Sequence, residues 1–561
     1  MNSNGQNDSW IENPELINIP DAARLISGLR DTGYDLYTAA ADIIDNSIAA
    51  HATEVNVQMV LLESGQKFVY FGDNGIGMTP SQLWSAMKYG SPKRPSAKSL
   101  GKFGLGLKTA SSSCCRKFAV ISRADVNSPL EKLVWDLDHV ERENKWQMIR
   151  EEVSLEEKER FQDLCGEKGT LVIWSKCDNV LGKLYEEPGG TKERNALNKR
   201  RERLSEHLGK VFHKYLDSEN YEEFANVKIY LNEEEVLPWN PFYPEKSEQV
   251  LAESETKIVV GSEDEEDDTK IYAEIRAWIL PHAKDMTTEE NKSKAKISNR
   301  SQGFYIYREG RLIFSEGWLG IFRSDDPHWS LLRVEFCFNS DLDHAFQVDV
   351  KKSRIMFDPA IEEDLKERLK TARNEADRRY RRKEKEVTQR TSLDHGSANK
   401  SIDKAKLRTK KPNVKDADVE SGTGTLVNNR GVVRINTPIQ NNIPPDKLYV
   451  EEVTDITDGN LWEPALRSTG DGIFTTGVRL NKHHDFYPKI YLKASSSGYA
   501  VEGIDLLLWA LAAAEYHNTS EELKAIFEDI REEVSSNLRK LLADVPMPDV
   551  HAVSYTHLTL P

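Results

Sequence analysis

The stretch Ala39-Ala40-Ala41-Asp42-Ile43-Ile44-Asp45-Asn46-Ser47-Ile48-Ala49-Ala50 sets two carboxylates and an amide inside an otherwise small and apolar segment. At about 100° per residue, Ala40, Ile44 and Ile48 fall at about 160°, 200° and 240° from Asp42, and Asp45 and Asn46 at about −60° and +40°. One face of such a helix buries, and the opposite face presents Asp42, Asp45 and Asn46 together. Read alone, the same pattern also fits a solvated surface helix.

Two glycine-rich loops come next. Gly72-Asp73-Asn74-Gly75-Ile76-Gly77-Met78 comes straight after the apolar run Phe68 to Phe71. A carboxylate at a strand end with alternating glycines lets the chain turn sharply beside a flat ligand, although a tight hairpin reads the same way. Leu100-Gly101-Lys102-Phe103-Gly104-Leu105-Gly106-Leu107-Lys108-Thr109 has glycines opening a helix-like run, an arrangement that points backbone N–H groups at phosphate. It is neither a P-loop nor a dinucleotide fingerprint, for it lacks GxxxxGK[ST] and does not follow a strand.

Taken together and in this order, the three motifs resemble those of the GHKL ATPases, the group of gyrase B subunits, MutL, the large heat-shock chaperones and histidine kinases. Glu167-Lys168-Gly169-Thr170, ahead of the apolar run Leu171 to Trp174, is similar to the family's glycine–threonine motif. Through Gly101 to Lys108 the closest resemblance is to MORC ATPases and their bacterial MutL-like relatives. The likeness covers roughly the first 360 residues.

The resemblance implies an α+β fold: a Bergerat-type nucleotide-binding sandwich, then a transducer domain and a separate C-terminal domain. It implies ATP and Mg2+ as cofactors. Asn46 is implied as the magnesium ligand and Asp42 as the water-activating base, where the family usually has glutamate; Asp45 is the fallback base or a ribose contact. Asp73 is implied on the adenine amino group, supported by Thr170, with Gly75, Gly77 and Met78 beneath the base. Gly101, Lys102, Phe103, Gly104, Leu105, Gly106 and Lys108 are implied around the phosphates, and residues 88–101 as a lid. Gln347 to Ile355 sits where a transducer lysine reaches the γ-phosphate. Lys352 fits that spacing and Lys351 is the alternative, and two surface lysines at a strand end would look the same.

The chain has 561 residues, enough for three or four domains at roughly 100–200 each. The expected division is 1–185 nucleotide domain, 186–357 transducer, 358–445 basic helix and flexible linker, 446–545 C-terminal α+β domain, and 546–561 tail. Leu365, Leu369, Ala372 and Ala376 give a narrow apolar stripe on an otherwise charged helix starting at Asp358-Pro359. The five cysteines form no CxxC pair, which argues against a zinc cluster or disulfide framework. His483-His484 alternate in direction along a strand and so do not share a ligand. The longest apolar run, Ile504 to Ala514, is about half a membrane span, so a soluble cytoplasmic protein is expected.

The net charge is −16, yet residues 368–411 hold sixteen Lys/Arg against six Asp/Glu, leaving −16 − 10 = −26 elsewhere. That segment reads as an exposed helix and linker, or as an arm that contacts DNA phosphates. The acidic run Glu263 to Asp268 is expected in a solvated loop.

The function expected from the resemblance is an ATP-dependent clamp that homodimerises on ATP binding. It acts on DNA, with a partner nuclease of restriction or phage defence docked through the C-terminal domain. The alternatives are a chaperone-like ATPase on protein clients, a protein kinase, and a non-hydrolysing nucleotide-sensing scaffold. A kinase would need an acceptor histidine on an upstream dimerisation helix.

Overall fold

The computed structural model describes residues 21–30, 33–89, 106–182, 185–224, 226–252, 257–260, 271–282, 285–286, 288–322, 325–343, 345–346, 355–380, 393–429, 431–454, 456, 459–494, 498–542 and 545. The first unit holds α1 (Ala22–Arg30), α2 (Leu36–Ala49), β1 (Glu54–Leu61), β2 (Lys67–Asp73), α3 (Pro80–Met87) and α4 (Gly106–Cys114). It continues with β3 (Lys117–Arg123), β4 (Glu131–Asp136), α5 (Leu137–Glu143), β5 (Ile149–Arg150), α6 (Leu155–Cys165), β6 (Gly169–Ser175), α7 (Thr191–Val211), α8 (His213–Leu216), β7 (Lys228–Leu231) and β8 (Glu234–Glu235).

Their strands form one mixed sheet in the order β5-β4-β3-β6-β2-β1-β7-β8. Period-two alternation gives the sheet two buried faces. Val69, Phe71, Val172 and Trp174 point to a core shared with α1, α2, α4 and α7, while Tyr70, Leu171 and Ile173 meet Phe161 and Leu164 of α6. This core runs past the boundary expected at residue 185. Leu197, Leu204 and Leu208 of α7 belong to it, and β7 pairs in parallel with β1, so the unit closes near Val236.

The second unit is built on β9 (Glu248–Gln249), β10 (Lys257–Val260), β11 (Ile271–Ile279), α9 (Glu289–Ala295), β12 (Gly303–Arg308), β13 (Arg311–Ser315) and β14 (Leu332–Phe338). The sheet order is β10-β11-β14-β12-β13, with β9 also on β11. Across one face lies α10 (Pro359–Tyr380), whose Leu365, Leu369, Ala372 and Ala376 bury with Ile306, Val334 and Phe336. The apolar stripe is thus spent on this sheet.

The third unit holds α11 (Gly396–Ala405), β15 (Val414–Asp418), β16 (Thr423–Asn428), β17 (Gly431–Asn436) and β18 (Ile439–Gln440). After them come β19 (Val450–Val453), β20 (Trp462–Arg467), β21 (Thr475–Asn481), α12 (Gly498–Tyr516) and α13 (Glu521–Leu542). Residues 358–445 were expected as a basic helix and flexible linker, and over the described residues from 393 on the structure shows a folded segment instead. Ala398 and Ile402 enter the core of Trp462 and Val478, and Leu426, Val433 and Ile435 close over Leu466 and Tyr516. An antiparallel meander with one face in water needs few apolar residues, so its polar composition resembled a linker's. The acidic run 263–268 lies outside the described residues, as does the tail 546–561.

Buried charge joins the units. Lys214 of α8 meets Glu335 of β14 at 2.7 Å, and Arg539 of α13 meets Asp326, ahead of β14, at 2.8 Å through Nε. Among the described residues no helix is long and apolar enough to cross a membrane.

Candidate nucleotide site

Asp35 caps α2 by accepting from the Thr38 backbone N–H at 2.7 Å, which fixes where the helix starts and hence which way its polar positions face. Asp42 and Asp45 are 4% and 1% exposed. The two carboxylates of the face read as polar are therefore not open to solvent, while Asn46 is half-buried. Asn46 donates from Nδ2 to the Asp42 carbonyl at 2.8 Å, which orients its amide along the helix.

At the other end of the site Asp73 closes β2. It accepts from Ser47 Oγ of α2 at 3.0 Å on Oδ2, and from the Gly75 N–H at 3.0 Å on Oδ1. Thr170 of β6 is its cross-strand partner, and Ser122 Oγ lies 3.0 Å from Thr170 Oγ1. Burial pushes the Asp73 carboxyl up to about 6, against the opposing bonds from Gly75, Ser47 and Thr170. A buried carboxylate held this way, by the Ser47 hydroxyl and backbone N–H groups, suits a ligand edge that donates hydrogen bonds.

The glycines are required where strands and loop meet. Gly169 has φ +136°, and a Cβ there would lie 1.8 Å from the Asp73 carbonyl oxygen. Gly77 has φ +64°, and a Cβ there would lie 2.0 Å from the Arg123 carbonyl oxygen. Both positions therefore need glycine for the fold itself. Met78 comes next, half-buried, and donates its N–H to Ser122 Oγ at 2.9 Å.

Helix α4, described over Gly106–Cys114, packs on α2. Among the described residues, a Cβ on Gly106 would come near Asp42 Oδ2, at 3.8 Å, so the described start of α4 lies beside that carboxylate. Lys108 lies in the first described turn of α4. Its buried ammonium donates to the Ala86 carbonyl at the end of α3, at 2.9 Å. Gly101, Lys102, Phe103, Gly104, Leu105 and the lysines Lys351 and Lys352 lie outside the described residues.

Two residues that the sequence motifs do not single out complete the site. Tyr34 donates its hydroxyl to Asp42 Oδ2 at 2.8 Å. Arg311, the first residue of β13 in the second unit, donates from Nη2 to Asp42 Oδ1 at 3.0 Å and pairs through Nε with Asp45 Oδ1 at 2.8 Å. The guanidinium is itself buried. That burial works against its charge, but Asp45 and Asp42 hold it above its ordinary range. Arg311 stands in the strand–turn–strand run Gly303 to Ile313, yet nothing in the spacing points 269 residues back to Asp42.

The donor set fits a magnesium nucleotide. A buried acceptor bonded to a hydroxyl lies at one end, and the Asn46 amide, on the helix that packs against α4, lies at the other. Among the described residues no group of three or more His, Cys, Asp or Glu is placed to hold a metal ion alone. His484 is buried and its Nε2 lies 3.0 Å from the Ser535 carbonyl.

Residues 34–170 match the family model described as Histidine kinase-, DNA gyrase B-, and HSP90-like ATPase. The match supports a GHKL-type ATPase domain over those residues. No curated protein matches the chain. A solved structure described as "Crystal Structure of N terminal domain of a DNA repair protein" is similar at 17% identity and a TM-score of 0.36, covering 63% of this chain and 98% of that one. A likeness at that score carries no argument about function.

Proposed function

We propose that this chain is a magnesium-dependent ATPase working as an ATP-gated homodimeric clamp on DNA. The observation that carries the reading is Asp73: a buried acceptor at a strand end, tied to α2 through Ser47 and to β6 through Thr170, inside the segment that matches the ATPase family. Asp73 selects adenine by accepting from its amino group. Asn46 is the protein ligand for magnesium, and the first turn of α4 offers backbone N–H groups to phosphate. Magnesium and triphosphate, when bound, supply the charge and the leaving group of phosphoryl transfer. Asp42 orients water and takes its proton, and Lys352 reports the γ-phosphate.

Residues 368–411 are proposed as the DNA contact, and the third unit as the dock for a separately encoded nuclease. Within that basic segment Arg368 and Arg379 pair with Asp364 and Glu375, so only part of its charge is available to phosphate. The test is DNA binding and sedimentation without nucleotide, with ADP, and with a non-hydrolysable ATP analogue. A clamp dimerises and holds DNA only with the analogue. A chaperone-like relative shows no salt-sensitive DNA binding.

One observation favours a second reading. Both Asp42 oxygens already have donors, Arg311 and Tyr34. A protein that binds ATP without turning it over, a nucleotide-sensing scaffold, fits that engagement. Single-turnover hydrolysis separates the two.

A further inference from the structure

We propose that Arg311 is a positioning residue through which the second domain sets the orientation of the Asp42 carboxylate. The inference rests on the ATPase reading and adds to it a lever from outside the nucleotide domain.

A guanidinium has several N–H donors in a rigid fork, so one side chain can span two carboxylates three residues apart on a helix. Arg311 does so with Asp42 and Asp45. A lysine ammonium at the end of a flexible stem lacks that planar span. With Tyr34 on the second oxygen, the plane of the Asp42 carboxylate is fixed from two sides, one in each domain.

The arginine is held as firmly as it holds. It stands just after a two-residue turn between β12 and β13, which pair directly. Tyr215 of the first domain donates its hydroxyl to the Glu309 carbonyl in that turn. Gly310, at φ +79°, sits against the Phe224 ring, where a Cβ would come within 2.4 Å. Glu309 Oε1 accepts from the Ser340 N–H at 2.8 Å, tying the turn back to its own domain. The guanidinium also lies 6.0 Å from the Phe212 ring centroid, at the junction of α7 and α8. A shift of the turn therefore either carries Asp42 with it or breaks the Arg311 contacts.

Burial of three charges is costly, and well-packed apolar side chains of similar volume often serve stability equally well. A charged lever at the helix that carries the candidate base has a use that apolar packing would not supply. Misplacing a reacting group by about 1 Å can cost on the order of 100-fold in rate.

The test compares Arg311→Gln, Arg311→Lys and Tyr34→Phe with wild type in the full-length protein. Three readouts are taken: ATP affinity by calorimetry, single-turnover hydrolysis, and amide hydrogen exchange of α2 without nucleotide. Arg311→Gln is expected to lower turnover on the order of 100-fold while ATP affinity stays within about threefold. Arg311→Lys recovers part of the loss, and Tyr34→Phe, a milder change that keeps the fold, loses about tenfold. Exchange of residues 40–46 rises in Arg311→Gln, while that of β1 and β2 is unchanged.

Unchanged turnover and α2 exchange in Arg311→Gln would overturn the assignment, as would equal loss of exchange protection in α2, β1 and β2, which marks a merely structural ion pair. If Arg311→Gln does not fold, Tyr34→Phe with full turnover overturns it. Wild-type protein that binds ATP but never hydrolyses it overturns the positioning role and leaves ATP binding standing. Wild-type protein that binds no ATP brings down the parent reading as well.

Discussion

Replacing Asp73 by asparagine should make the nucleotide-free protein more stable and its ATP binding weaker, and both effects come from one carboxyl. The group moves from 3.8 to about 6 because folding removes its hydration. At about 1.36 kcal/mol per tenfold change in proton affinity, that is about 3 kcal/mol against the ionised fold. The sign is set by linkage: the native state holds this proton more tightly than the unfolded chain. The penalty is absent well below pH 3.8, grows between pH 3.8 and 6, and is complete above. Asparagine never ionises. Its carbonyl can accept from the Gly75 N–H and its amide can donate to Ser47 Oγ, so both local contacts have a geometric successor. Those contacts lose their charge assistance, which leaves a net gain of about 1–2 kcal/mol at about pH 7.5.

Urea unfolding of wild type and Asp73→Asn at several pH values, without nucleotide, measures the difference. It should rise from about pH 4 to about 6.5 and then level off. Calorimetry on the same proteins should show ATP affinity down at least about tenfold, as expected when a hydrogen bond to a charged acceptor, about 1.5–3 kcal/mol, is lost. A variant that is less stable than wild type near neutral pH, or a difference that ignores pH, would refute the burial reasoning. Unchanged ATP affinity would refute the adenine contact.

Asp42→Ala should keep ATP affinity and lower phosphate release by about 10²–10⁴; normal release would move the base elsewhere. Arg539→Ala leaves Asp326 buried without its guanidinium and should cost about 3–5 kcal/mol, read as an early unfolding step of the third unit in calorimetry. A single transition at the wild-type temperature would contradict it. His395 is raised to about 9, burial opposing and the Asp505 and Glu452 carboxylates prevailing. Its stabilisation, about 3 kcal/mol, is complete below pH 6.5 and is lost as pH rises through 9. His395→Gln should remove that pH dependence from the melting of the third unit, and an identical alkaline slope would exclude the ion pair.

The parts legible in the sequence are those governed by local periodicity. The uninterrupted apolar runs Phe68 to Phe71 and Leu171 to Trp174 mark β2 and β6 as strands buried on both faces, and the 3.6-residue spacing of Leu365, Leu369, Ala372 and Ala376 marks α10. The motif Asp73 to Gly77 is readable because glycine alone tolerates the positive φ and close backbone approach that Gly77 adopts there. What is not legible depends on long-range pairing. β7 joins β1 across roughly 170 residues, which moves the first core well beyond position 185. Lys108 stands beside the glycines in sequence, but its ammonium finds its acceptor at the end of α3. The burial of Asp42 and Asp45 needs Arg311, and a helical wheel can show two carboxylates on one face without showing what covers them.

What covers them matters for how the domains move. Apolar contacts between domains are non-directional, so a small slide changes their energy gradually. The contacts here include Asp42 and Asp45 with Arg311, Glu335 with Lys214, and Asp326 with Arg539, all with both partners buried. A buried pair pulled apart leaves charge without solvation, so intermediate separations are disfavoured and the docked arrangement is a discrete state. A domain rotation must then break such pairs together or exchange them for others. Because buried pairs are screened far less than exposed ones, docking should hold in salt that releases DNA from an exposed basic segment. Raising ionic strength therefore separates the two kinds of contact. Loss of compactness in scattering at the salt concentration that abolishes DNA binding would show that these pairs do not control the arrangement.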